Sequence, residues 1–269
     1  MRVDISRSRL LSSHALCEPL GASACTRACA TAPRMHPALS PTSAWKPALA
    51  CSPVLPSSSR RVAVGFFGLS RNLRSTLPTI ERNVIAPLRE ASGGLLDTFV
   101  HAMLLTSITN ARSSEFAEPI DPLSFLAVQP CRLAAEDQHA ADAAMHLEEL
   151  TARWNTTKQP LSTKYNALRA RYSLWRLSKL IVAYEEAAGI RYAHVAAVRP
   201  DTSFLSPLPR ADALLQRAEP GIWLPNAHHW NGTNDRFAHG DATSMLTCYM
   251  TQYEAILERG RGRLVRGGE

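Results

Sequence analysis

Between Val62 and Val100 the chain reads apolar run, helical stripe, apolar run, and that order commits it to a parallel sheet. The run Val-Ala-Val-Gly-Phe-Phe at 62–67 is continuously apolar and stops at Gly68, as a strand buried on both faces does. Leu77, Ile80, Val84, Ile85 and Leu88 then recur at helical spacing. Ser75 or Thr76 serves as cap, Pro78 falls in the first turn, and Pro87 kinks or ends the helix. After Gly93 and Gly94, residues 95–100 give a second strand. A strand, a helix and a strand at this spacing form a βαβ unit.

The remainder extends the same alternation. Residues 106–134 give mixed signals, with a weak strand near 125–128. A helix is expected over roughly 135–153 from its Ala, Leu and Glu content, then a loop over 154–162. The clearest helix covers about 163–188, with Ala167, Ala170, Leu174, Leu177, Ile181 and Tyr184 forming one apolar stripe. Tyr165, Arg169, Tyr172, Arg176 and Lys179 line its opposite side, which reads first as a solvated face. Gly189 ends the helix. Strands follow at 192–198 and 222–224, and a last helix at 241–258. The expected fold is α/β: a mostly parallel central sheet flanked by helices, one domain over 61–258, with a flexible basic tail at 259–269.

Residues 1–60 differ in kind. They are rich in Ser, Ala, Pro, Arg and Cys, and their composition is that of a disordered leader. They hold seven Lys and Arg against two Asp and Glu, while the remaining residues hold 23 against 21. The overall net charge of +7 therefore sits mainly in the leader, and the domain carries no signal for nucleic-acid binding. The Arg-rich, acid-poor leader resembles an organelle transit peptide. The sequons at Asn155 and Asn231 matter only in a secretory lumen, so both locations stay open. No run is long enough for a membrane span. Cys17, Cys25, Cys29 and Cys51 lie in the leader, with only Cys131 and Cys248 beyond. Free thiols are favoured there over a metal or disulfide module.

The chemistry-bearing residues cluster after strands. Pro200 ends the strand at 192–198, so Asp201 sits just past a carboxyl end, where open α/β sheets place ligands. Asp201 is the candidate ligand for Mg²⁺ or Mn²⁺, with Thr202 and Ser203 able to add hydroxyls. The alternative is a plain Arg199–Asp201 pair closing the strand. In the polar loop at 225–240, Asp235 is the candidate general base, or a surface partner of Arg236. Trp230 is the candidate stacking platform for a sugar, and zinc binding by His228, His229 and His239 is disfavoured. Gly68 and Arg71 follow the first strand and would face a phosphate. His101 follows the second strand, and Arg176 could reach a diphosphate from its helix. No motif for covalent catalysis is present.

Taken in order, five segments resemble a family of nucleotide-sugar glycosyltransferase-like proteins with a GT-A-type fold: residues 62–71, 97–101, 172–176, 199–204 (Arg-Pro-Asp-Thr-Ser-Phe) and 234–240 (Asn-Asp-Arg-Phe-Ala-His-Gly). The resemblance covers roughly 61–250. It implies a nucleotide-diphosphate sugar donor, a hydroxyl acceptor and a divalent cation, Mn or Mg, at Asp201. It also implies nucleotide contacts at Gly68, Arg71 and Arg176, and sugar or acceptor contacts at His101, Trp230, Asn234 and Arg236. The Asp-x-Asp signature of such enzymes is reduced here to Asp201 with Thr202 and Ser203. The alternative expectation is an inactive or truncated nucleotide- or carbohydrate-binding domain.

Overall fold

The computed structural model describes residues 2–5, 8–11, 51–53, 60–110, 115–153, 160–208, 215, 221–226 and 234–265. The strands among them are β1 (Arg2–Val3), β2 (Ser8–Leu11), β3 (Val62–Gly68), β4 (Leu96–Leu104), β5 (Ser107–Asn110) and β6 (Glu115–Pro119). Then come β7 (Arg132–Asp137), β8 (His194–Val198), β9 (Ser203–Phe204), β10 (Ile222–Pro225) and β11 (Phe237–Asp241). Seven of them form one sheet in the order β2-β10-β11-β8-β3-β4-β7. β8, β3, β4 and β7 are mutually parallel. β11 opposes β8, β10 opposes β11, and β2 opposes β10. Five of the seven strands, β10 included, thus point one way, and the sheet is mixed but mostly parallel.

The pleat sorts alternate residues onto two cores. Ala63, Phe67, Phe99, Val195 and Ala197 meet Leu174, Leu177 and Ile181 of the long helix Leu161–Ala188. Val64, Phe66, Val100 and Val198 meet Leu73, Ile80, Val84 and Leu88 on the other face. Each fully buried Leu or Phe contributes about 1.5–3 kcal/mol of transfer energy. The long helix lies close because Gly65 has no side chain: a Cβ there would stand 2.5 Å from Leu177 Cδ2. No helix among the described residues is long and apolar enough to cross a membrane.

Several sequence expectations need correction. The first helix starts earlier, at Leu73, so Pro78 lies inside the segment Leu73–Ile80. Pro87 does not end it; a π-turn at Glu81–Ile85 shifts the hydrogen-bond register, and Ala86–Ala91 continues. A proline without an N–H is tolerated where that register changes. The stretch near 125–128 is a 3₁₀ helix, Pro122–Val128, nucleated by Asp121, whose side chain accepts from the Leu123 amide. Strand β7 occupies the front of the expected helix at 135–153, which resolves into Gln138–Ala144 and Leu147–Arg153. β11 was hidden in what reads as a polar loop. The last helix carries on through Gln252–Val265, across the expected tail.

The row opposite the long helix's apolar stripe is not a solvated face. Arg169 pairs with Asp142, Arg176 with Glu136 and Lys179 with Glu254, while Tyr172 is buried against Tyr253. Order also does not begin at Arg61. Val3 and Ile5 are buried, β1 pairs with β9, β2 forms an edge of the main sheet, and Cys51 is disulfide-bonded to Cys131. The free-thiol reading of the leader therefore fails at Cys51, and beyond the leader Cys248 is disulfide-bonded as well. The other leader cysteines lie outside the described residues.

Candidate functional site

β3 and β8 lie side by side and end together, and the residues that follow them meet. Arg199 and Asp201 lie in the turn that follows β8, closed by the Thr202 amide donating to the Arg199 carbonyl at 3.1 Å. The pair is a fork: Arg199 Nε lies 2.7 Å from Asp201 Oδ1 and Nη2 lies 2.9 Å from Oδ2. Arg71, three residues past β3, gives its Nη2 to the same Oδ2 and its Nη1 to Glu115 Oε2 at 2.9 Å. From the turn before β11, Asp235 Oδ2 receives Arg199 Nη1 at 3.2 Å, and Arg236 Nε stands 3.9 Å from Asp235 Oδ1. The backbone locks the two loops together through the Arg199 amide, which donates to the Arg236 carbonyl at 2.8 Å. Asp201 and Asp235 therefore share one rim, bridged by one guanidinium.

Burial alone would push the Asp201 carboxyl up. Arg199 and then Arg71 overcome it and hold the group well below the usual carboxylate range. Burial alone would lower Arg199, and Asp201 followed by Asp235 raises it instead. Both groups stay charged through the accessible pH range. Thr202 lies beside them, fully buried, with no hydrogen-bond partner for its hydroxyl.

Beside Asp235 lies a small hollow, partly open to solvent, with about 10 Å³ of room, lined by Phe67, Arg171, Leu174, Asn234, Asp235 and Tyr249 among others. Burial lowers the Arg171 guanidinium, and Asp235 and Tyr249 act against it. Asn234 is buried, and its Oδ1 accepts from the Arg236 and Phe237 amides at 2.9 and 3.3 Å, an Asx turn that aims Asp235 outward. Trp230, His228 and His229 lie outside the described residues. His239 is not at this rim: it sits in β11, its Nδ1 3.1 Å from His194 Nε2.

His101, Arg176 and Gly68 form a second group on the other side of the β3 terminus. His101 is inside β4 rather than past its end, opposite Phe67, and fully buried. Its Nδ1 meets Ser173 Oγ at 2.7 Å and its Nε2 lies 3.3 Å from Glu136 Oε1. Glu136 also takes Arg176 and the Tyr172 hydroxyl, the latter at 2.8 Å. Serine, histidine and carboxylate in a row suggest a nucleophile relay. Ser173 is fully buried, however, and its Oγ accepts the Gly68 amide at 2.8 Å, so it braces the end of β3 against the long helix. Burial lowers the His101 pKa, Glu136 works against it, and the imidazole stays largely neutral at pH 7.

The residues do not fit a divalent cation at Asp201. Both its oxygens are engaged by guanidinium groups, and among the described residues no cluster of three His, Cys, Asp or Glu is placed to hold a metal. Sequence reasoning missed Glu115, Glu136, Arg171 and Ser173 altogether. Arg199 carried a signal, its two-residue spacing from Asp201. The others become visible only when distant segments are brought together. No family model, curated protein or solved structure matches the chain.

Proposed function

We propose that the chain is a glycosyltransferase-like protein moving a sugar from a nucleotide-diphosphate donor to a hydroxyl acceptor. The observation that supports this most is the ion-paired rim of Arg71, Arg199, Asp201 and Asp235 at the carboxyl ends of β3 and β8, where α/β sheets receive nucleotides. In the proposed step the bond from the anomeric carbon to the diphosphate oxygen breaks and a bond from the acceptor oxygen forms. The acceptor proton passes to Asp235, the more exposed of the two carboxylates. Arg71 stabilises the charge that builds on the departing diphosphate, held in place by Asp201, and Arg199 keeps Asp201 fixed. One such charge-directed donor is worth roughly 10²–10³ in rate. No step runs through a metal ion.

The test is donor turnover by the full chain across uridine and guanosine diphosphate sugars, beside nucleotide binding measured in EDTA. Asp235→Asn is expected to cut turnover by about 10²-fold with binding retained. A second reading, a binding domain without turnover, is favoured by the small hollow, whose room of about 10 Å³ is far below the roughly 300 Å³ at which ligand pockets begin. Nucleotide binding without any transfer or donor hydrolysis selects that reading. Absence of binding with and without Mn²⁺ overturns both.

A further inference from the structure

We infer that the opening residues of the chain form a strap that positions the turn carrying Asp201. Residues 2–11 then belong to the working protein rather than to a targeting segment cut away on import. The strap sets the geometry of the rim whatever the rim binds.

Asp201 owes its place to the short stretch that follows it. β9 lies outside the main sheet, and among the described residues β1 is its only strand partner. Arg2 stands opposite Ser203 and Val3 opposite Phe204, and the Leu205 amide donates to the Val3 carbonyl at 2.9 Å. Ser206 Oγ donates to Asp4 Oδ1 at 2.6 Å. From the other side, the helix Leu73–Ile80 and the π-turn after it hold the same stretch. The Thr76 hydroxyl donates to the Pro200 carbonyl, and Thr79 Oγ1 accepts the Phe204 amide at 3.0 Å. Asn83 Nδ2 donates to the Phe204 carbonyl at 2.6 Å. The turn is thus clamped between a helix of the βαβ unit and a strand from the very start of the chain.

The strap has its own anchors. Arg2, Val3, Asp4 and Ile5 alternate exposed and buried, the period of a strand with one face on a core. Val3 and Ile5 enter the same core as Phe204 and Phe237. The Ser8 amide and hydroxyl both donate to the Ile5 carbonyl, at 3.2 and 2.8 Å, and turn the chain into β2 along β10. Phe204 meets Phe237 edge-on at 5.0 Å, two residues beyond Asp235. Apolar contact therefore links the strap to both halves of the rim. Removal of the leader would empty the places of Val3 and Ile5 and leave β9 without its partner strand.

The experiment compares two similar cavities cut in one core of the full chain. Ile5→Ala cuts the strap, while Leu88→Ala cuts a fully buried side chain on the helix Ala86–Ala91, which leads into the start of β4. Both are expected to lower Tm. Only Ile5→Ala is expected to speed hydrogen exchange of the Thr202, Phe204 and Leu205 amides, by about tenfold or more, and to move the Asp201 carboxyl ¹³C resonance. Val3→Ala, a smaller cut in the same strap, takes the place of Ile5→Ala if that variant does not fold. Equal exchange at these amides in the strap and Leu88 variants overturns the positioning role, as does an unmoved Asp201 resonance. Peptide mapping of the protein recovered from the cells that make it is expected to find residues 2–11. A mature chain beginning beyond Leu11 overturns their retention.

Discussion

The sheet carries a buried arginine–aspartate pair at each end, and the two are finished differently. At the amino edge, Arg61 Nη1 meets Asp97 Oδ2 at 3.0 Å with side-chain exposures of 1% and 0%. Asp97 also accepts from the Tyr192 hydroxyl at 2.7 Å and from the Ser52 amide, while Arg61 reaches the Ser52 and Pro53 carbonyls. The short segment Cys51–Pro53, fastened to Cys131, closes over the pair. At the carboxyl edge, Arg199 is 20% exposed, and its network runs outward to Asp235 at 38%. The same two residue types thus serve as a sealed plug at one end and an open, extendable charge network at the other. Burial of every partner, rather than the pair itself, separates a structural ion pair from a candidate site.

The largest expected effect breaks the amino-edge plug. Asp97→Asn leaves Arg61 buried with its charge uncompensated and should cost about 3–5 kcal/mol in urea denaturation. A loss below about 1 kcal/mol would show the two edges to be alike. Removing the Cys51–Cys131 disulfide, 80 residues apart, by paired Cys51→Ser and Cys131→Ser substitution frees the covering segment while leaving the Cys248 disulfide in place, and should cost about 2–4 kcal/mol. Nucleotide binding at the far edge should persist in that variant as long as it stays folded, which calorimetry checks.

Acid probes the same amino edge. His194, opposite Val62 at the start of β8, has its pKa lowered by burial from 6.5 to about 4, with Asp241 opposing. Its neighbour His239 is lowered as well, by burial and then by His194. Both are neutral in the folded protein, so the unfolded chain takes up protons first. The stability they confer is complete above about pH 6.5 and is lost as pH falls towards 4, by about 3 kcal/mol for His194. Urea midpoints measured across that window should flatten in His194→Asn. The smallest expected stability effect belongs to Asp235→Asn, within about 0.5 kcal/mol because the side chain is partly exposed. That substitution should nevertheless cut turnover by about 10²-fold, and equal losses of stability and activity would erase the distinction between the edges.

The sequence makes this contrast only partly legible. β3 and the long helix are readable because burial dictates their pattern: a run apolar on both faces in one, an i, i+3, i+4 stripe in the other. β7 and β11 are not, because their Arg, Glu, His and Asp residues are admitted by partners far along the chain. The placement of Asp201 is legible from Pro200, which ends a strand by local chemistry. Its saturation by Arg71 is not, since those residues are 130 positions apart. The histidines illustrate the same limit. His101 reads as an edge residue, and only the length of β4 shows it to be interior.

One pairing has a bearing on biosynthesis. Arg2–Val3 and Ser8–Leu11 hydrogen-bond to Ser203–Phe204 and Ile222–Pro225. The opening residues of this chain therefore leave the ribosome long before their partners exist, and cannot dock until most of the domain has been translated. During that interval they must stay soluble without a place to go. Any fusion or trimming there uncovers the hydrogen-bonding edge of β10, where another polypeptide could add itself.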